Sequence, residues 1–172
     1  PRSTSSAASD VYKRQGHSPV MIFKDADIEA AVKHCAAGKF RNAGQVCISP
    51  TRFFIEEPVY DEFIKSFKSH VEAINVGDGL DSKSTMGPLV ADRRLEVMED
   101  FISDAVSSGG EVISGGGRGQ SPGSFFEPTL IRDVPDTAKI MIEEPFGPVA
   151  PSASFSSIDE IIERANSLPF GL

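Results

Sequence analysis

The sequence predicts an α/β fold built on a largely parallel sheet. Two observations carry this. Segments whose apolar residues recur at helical spacing alternate along the chain with short, mostly apolar strand-like runs, the order expected when helices cross over between parallel strands. The chain of 172 residues is also long enough for one good core, is a single domain by length, and shows no internal repeat. Its 40% hydrophobic and 24% charged content is ordinary for a globular protein. The net charge of -8 argues against a nucleic-acid surface, and no apolar run approaches membrane-spanning length. Two cysteines are too few for a disulfide framework, and nothing resembles a signal peptide. Together these point to a reducing, cytoplasmic setting in which a free thiol survives.

Residues 1–15 differ in character from the rest of the chain. Pro1 to Asp10 is small, polar and without periodicity, and Lys13 and Arg14 come soon after. This stretch reads as a disordered or non-native leader, such as a sequence-assembly scar, with a genuine disordered arm as the alternative. Pro19 to Phe23 reads as a buried strand. Asp25 and Asp27 are candidate caps for a helix whose inner face is Ile28, Ala31, Val32, Cys35 and Ala36. Cys35 in that stripe reads as structural, and His34 beside it has no evident partner as base or metal ligand. No metal ligands are assigned anywhere in the chain.

Arg52 to Ile55 is strand-like, and Pro58 suits a helix start. Tyr60, Phe63, Ile64, Phe67, Val71 and Ile74 then keep helical spacing, and Gly77-Asp78-Gly79 is expected to close that helix. A turn at Thr85 to Leu89 precedes a helix from about Ala91 to Ser108, with Leu95, Met98, Phe101, Ile102, Ala105 and Val106 inward and Gly109-Gly110 ending it. Glu111 to Ile113 is a short strand. Gly115 to Gly123 is rich in glycine but has neither a Walker lysine nor Rossmann spacing, so it reads as a flexible surface loop. Thr129 to Ile131 and Val149 to Phe155 are further strands. Ser157 to Glu160 has the form of a capping box, opening a helix whose inner face is Ile158, Ile161, Ile162 and Ala165.

The helix after Asp27 and the strand at Arg52 are joined by Phe40-Arg41-Asn42-Ala43-Gly44-Gln45-Val46-Cys47-Ile48-Ser49-Pro50. A thiol in such a junction can face a cleft, since loops carry chemistry more often than the elements they join. Gly44 would let a ligand approach the backbone closely. The residues alone leave Cys47 open between a nucleophile and a small buried hydrophobe. Arg52 is equally open: it could attract a substrate carboxylate or brace the loop.

Phe-Arg-Asn-Ala-Gly-Gln-Val-Cys resembles the active-site cysteine motif of the NAD(P)-dependent aldehyde dehydrogenase superfamily. Gly16-His17-Ser18-Pro19-Val20 is similar to the segment directly after that family's Glu-Leu-Gly-Gly signature, and Glu143-Glu144-Pro145-Phe146-Gly147-Pro148-Val149 resembles its Glu-Glu-x-Phe-Gly-Pro-Val motif. The three stand in the family's order at about its spacing, and the resemblance runs from Gly16 to Leu172. It implies a three-layer catalytic-domain fold of that type, truncated at both ends, with residues 16–172 as a partial catalytic domain.

By the same resemblance, Cys47 is the nucleophile in an aldehyde oxidation that passes through a thiohemiacetal and a thioester. Its own backbone N–H is one oxyanion donor. Glu144 matches the glutamate that hydrogen-bonds the nicotinamide ribose, and Phe146 the aromatic beside the nicotinamide of NAD or NADP. Residues two apart on an extended segment point the same way, which fits that pair. Without the resemblance, Glu144 and Phe146 read as a solvated acid and a core aromatic.

The departures are specific. Lys13 stands where the family has its general-base glutamate, and a lysine cannot replace that carboxylate. The dinucleotide fold, the side-chain oxyanion donor and the oligomerisation strand are expected outside this chain, so the piece itself is expected to be inactive. The partners implied for the full-length parent are a small aldehyde and further copies of itself, without nucleic acid or membrane. Two other classes stay open: a cysteine acyltransferase or hydrolase, which would need His17, His34 or His70 as partner, and a non-enzymatic α/β scaffold.

Overall fold

A computed structural model describes residues 16–171; the leader and its Lys13 lie outside the described residues. The elements run β1 (Ser18–Ile22), α1 (Ile28–Phe40), β2 (Pro50–Glu56), α2 (Tyr60–Glu72), α3 (Arg93–Ser107), β3 (Glu111–Ser114), β4 (Thr129–Arg132), α4 (Lys139–Ile142), β5 (Val149–Phe155) and α5 (Ile158–Ala165). One five-stranded sheet has the order β1-β2-β5-β4-β3. All its pairings are parallel except β3 against β4.

Strand β2 shows why the sheet is the middle of three layers. Residues 51–55 of it are all buried, so both faces are covered, as a parallel interior strand requires. Successive side chains point to opposite faces. On one, Phe53 meets Phe67 of α2 at 5.3 Å between ring centroids; on the other, the Arg164 guanidinium of α5 lies 4.8 Å from the Phe54 ring. The fold expected from the sequence is therefore present.

Helix ends follow local chemistry. Asp27 caps α1, its carboxylate accepting from the Ala30 N–H at 3.0 Å. Helix α3 closes in a Schellman arrangement: Gly110 N–H donates to the Ala105 carbonyl and Gly109 N–H to that of Val106, with Gly109 at φ 112. Helix α2 stops at Glu72, short of the expected Gly77. The Asn75 carbonyl accepts from both Thr85 and Met86 N–H, and this pairing of 75–77 with 85–86 turns the chain out of the helix. At α5, Ser157 accepts from Glu160 N–H as the capping box requires, but the Glu160 carboxylate turns one residue further back, to Ser156 N–H and hydroxyl.

Three expectations on the surface need correction. Val106, Ile158 and Ile162 are 47%, 61% and 54% exposed, so α3 is narrower inside than its sequence suggests and only Ile161 of α5 is buried. The glycine-rich stretch is no free loop: Gly119 N–H donates to Phe125, Glu127 N–H to Gly117, and Arg118 pairs with Phe126, extending the β3–β4 hairpin. Gly115, at φ 70, lets the two arms close, since a Cβ there would lie 2.3 Å from the Pro128 carbonyl oxygen. Helix α4 has no counterpart among the sequence expectations; it is a single turn, too short to show a period. No helix among the described residues is long and apolar enough to cross a membrane.

Candidate active site

After α1 the backbone makes a left-handed turn. Asn42 and Ala43 stand at φ 52 and Gly44 at φ 71, a conformation that costs a non-glycine residue about 1–2 kcal/mol. The turn is held by reciprocal bonds: Asn42 Nδ2 donates to the Gln45 carbonyl, while Gln45 N–H and Nε2 donate to that of Asn42, each at 3.1 Å. Gln45 also reaches outward, Nε2 donating to the Pro88 carbonyl and Oε1 accepting from Val90 N–H at 2.9 Å. A second turn comes next, closed by Ser49 N–H to the Val46 carbonyl at 3.0 Å, with Cys47 and Ile48 at its tip. Cys47 is exposed there. Cys35, the other thiol, is buried in α1, and burial pushes its pKa up to about 11, consistent with a structural role.

The cysteine loop rests on the segment carrying Glu144 and Phe146. A Cβ on Gly44 would lie 2.1 Å from the Gly147 carbonyl oxygen. One on Gly147 would lie 2.2 Å from Met98 Sδ of α3. Two of the motifs read from the sequence thus meet backbone to backbone. Phe146 is half-buried at φ 41, the left-handed region. Glu144 is also half-buried. Desolvation raises its pKa, opposed by the Gly16 N–H and by the Lys39 and Arg94 charges. Gly16, from the remaining motif, therefore supplies a donor to the Glu144 carboxylate.

Lys39 carries no motif in the sequence, although it lies four residues after Cys35 and so continues the apolar stripe of α1. It is fully buried, and among the described residues its Nζ has no hydrogen-bond partner. Burial lowers its pKa to about 7, opposed by the Glu144 carboxylate. Arg94, at the start of α3, donates through Nη2 to the carbonyls of Pro145 and Phe146, the latter at 3.2 Å.

Arg52 braces the fold and is not free to receive a substrate. It is buried, donating from Nε to the His17 carbonyl at 3.1 Å and from its two terminal nitrogens to Arg164 and Ala165 at 3.2 and 3.0 Å. The histidines do not serve Cys47 either. His17 is buried, bonded through Nδ1 to Thr51 Oγ1 at 2.8 Å, and burial, then the Arg52 charge, lowers its pKa to about 3. His34 is exposed on α1. His70 bonds the Ser66 carbonyl and faces Glu29 at 3.6 Å. Among the described residues no histidine hydrogen-bonds Cys47, so the partner that a cysteine hydrolase needs is not in place.

Phe146 at φ 41 is not extended backbone, so Glu144 and Phe146 do not share a side by strand alternation as the sequence suggests. Both are nonetheless half-buried on one segment beside the cysteine turn, where they would be placed to hold the ribose and ring of a nicotinamide. The exposed thiol fits a nucleophile open to a small electrophile.

The Aldehyde dehydrogenase family model matches residues 9–172. The probable succinate-semialdehyde dehydrogenase [NADP(+)] of Sinorhizobium fredii is 45% identical over 157 residues, which are 91% of this chain and 32% of that protein. The crystal structure of succinate-semialdehyde dehydrogenase from Burkholderia pseudomallei superposes with a TM-score of 0.90 at 39% identity, covering 91% of this chain and 33% of that one. Betaine aldehyde dehydrogenase of Staphylococcus aureus, solved in complex with NAD+, gives a TM-score of 0.87 at 33% identity, over 92% and 32% of the two chains. The chain thus spans about a third of the length of the relatives it matches.

Proposed function

The chain belongs to the aldehyde dehydrogenase family, and from that premise we propose that the protein oxidises an aldehyde to a carboxylic acid with NAD or NADP, using Cys47 as the nucleophile. The observation that carries this reading is the exposed Cys47 at the tip of a turn whose base, at Gly44, is pressed onto the segment bearing Glu144 and Phe146.

The thiolate of Cys47 adds to the aldehyde carbon, and the oxygen that becomes anionic is stabilised by backbone N–H donors, that of Cys47 among them. When bound, the nicotinamide supplies the acceptor for the electron pair that leaves the aldehyde carbon as the thiohemiacetal becomes a thioester. Glu144 would accept hydrogen bonds from the ribose, and Phe146 would limit where the ring can lie. The base that activates water on the thioester is assigned to no residue of this chain, since the matching position holds Lys13, outside the described residues.

Relatives named for succinate and glutarate semialdehyde make short semialdehydes bearing a carboxylate the first substrates to try. Further copies of the same chain are the expected partners, and the reducing cytoplasm suits the free thiols. The test is to incubate the protein, at its natural full length, with NAD or NADP and a panel led by these semialdehydes, following reduced nicotinamide. Production that is abolished by Cys47→Ser supports the reading; production that persists in Cys47→Ser overturns it.

A further inference from the structure

We propose that Arg94 is a positioning residue: its guanidinium clamps the carbonyls of Pro145 and Phe146 and so fixes the backbone from which Glu144 and Phe146 act. The cofactor part of this rests on the proposed aldehyde oxidation; the clamp itself does not. Phe146 stands at φ 41, a conformation uncommon for a bulky residue and kept only where the surroundings enforce it. Helix α3 supplies that enforcement twice on one face, one turn apart. Arg94 donates Nη2 to two successive carbonyls, those of Pro145 and Phe146, and Met98 lies so close to Gly147 that no side chain fits between them.

The guanidinium suits the task. It is planar and stays charged, and the two N–H bonds of one terminal nitrogen, Nη2, lie fixed in the guanidinium plane and reach both carbonyls, whereas an ammonium is a freely rotating point donor. Its placement serves the carbonyls at the expense of its own saturation, because among the described residues Arg94 Nε is buried without a partner. Its charge also acts on the Glu144 carboxyl, favouring the ionised form that accepts hydrogen bonds most strongly. Neighbouring Arg93 is exposed and makes neither contact, so it separates the effect of the clamp from that of one positive charge.

The experiment compares Arg94→Met, Arg94→Lys and Arg93→Met in the protein at its natural full length. Amide hydrogen exchange over residues 144–148 is measured without cofactor, together with the dinucleotide KM, kcat and the rate of Cys47 alkylation. The clamp predicts faster exchange in that segment for Arg94→Met, an intermediate rate for Arg94→Lys and no change for Arg93→Met. It also predicts a dinucleotide KM raised about tenfold in Arg94→Met, as expected for the loss of a charge-assisted contact, with cofactor-free alkylation of Cys47 unchanged. Unchanged exchange at 144–148 in Arg94→Met overturns the clamp whatever the kinetics do. Faster exchange with kinetic constants unaltered keeps the clamp and removes the cofactor role of Glu144 and Phe146. Were Arg94→Met to fail to fold, the graded exchange of Arg94→Lys against Arg93→Met decides the same question.

Discussion

Gly44 and Gly147 meet with no side chain between them, and the Met98 sulfur closes the stack from the far side. The cysteine turn, the Glu144–Phe146 segment and helix α3 are therefore registered by the exclusion of side chains and not by apolar interlock. Small changes in volume here should act at a distance from the thiol.

Gly44→Ala is expected to destabilise the fold by about 2 kcal/mol or more, because the new methyl must displace the Gly147 backbone and the residue must hold a left-handed φ. Urea unfolding reads the loss. An unchanged midpoint would show that the two loops can separate freely.

Cys47, and not Cys35, is expected to react first with limiting iodoacetamide on the folded protein. Cys47 is exposed, whereas Cys35 is buried with its thiol pKa raised to about 11. Peptide mapping by mass spectrometry after a brief pulse identifies the site, and preferential labelling of Cys35 would refute the assignment.

Glu144→Gln in the protein at its natural full length should weaken dinucleotide binding or slow the oxidation step by about tenfold while leaving the fold intact, since it replaces a charge-assisted acceptor with a neutral one. A lower melting temperature with unaltered kinetics would instead make Glu144 a structural acid.

Lys39 should make stability depend on pH in a defined direction. Its folded pKa of about 7 lies below the ordinary 10.5. Between those values the unfolded chain holds a proton that the folded chain has released. Stability therefore rises with pH across that window, by at most about 1.4 kcal/mol per pH unit, and the penalty of a buried ammonium is fully present below it. Lys39→Met should flatten this slope and stabilise the protein most near neutral pH. Urea midpoints for both proteins, taken across the window, test it; parallel profiles would mean that the lysine finds a partner or water when charged.

Much of the fold is legible because its inner strands β2, β4 and β5 are buried on both faces and read as apolar runs, while α2 and α3 show a period of 3.6. The misreadings have physical causes. A stripe of apolar residues says which face could be covered, not which face is, so Val106, Ile158 and Ile162 read as inward although they are exposed. The β3–β4 hairpin hides behind its glycines, whose composition also suits a loop. Cys47, Glu144 and Phe146 stand out as candidates because each sits in a contiguous motif. Arg94, Lys39 and the Gly44–Gly147 contact do not, because their partners lie far along the chain: Arg94 is an ordinary charge on a helix until the carbonyls of Pro145 and Phe146 are placed beside it. Arg52 is ambiguous in the sequence, and neither reading holds as expected: its three carbonyl partners, on His17, Arg164 and Ala165, make it a brace between the start of β1 and the end of α5, not of the cysteine loop.

The sheet order bears on how the chain is made. Strand β2 pairs with β1 soon after both leave the ribosome, but its other neighbour is β5, with Phe53 matched to Ser152. Until β5 is synthesised, that edge of β2 presents unpaired N–H and C=O groups along an apolar strand, the kind of template on which other chains assemble. Closure of the sheet's centre must await one of its longest-range pairings, which slows folding in proportion to the loop entropy it overcomes. Between translation of β2 and of β5 the chain thus carries an open apolar edge, a window in which a chaperone would have something to hold.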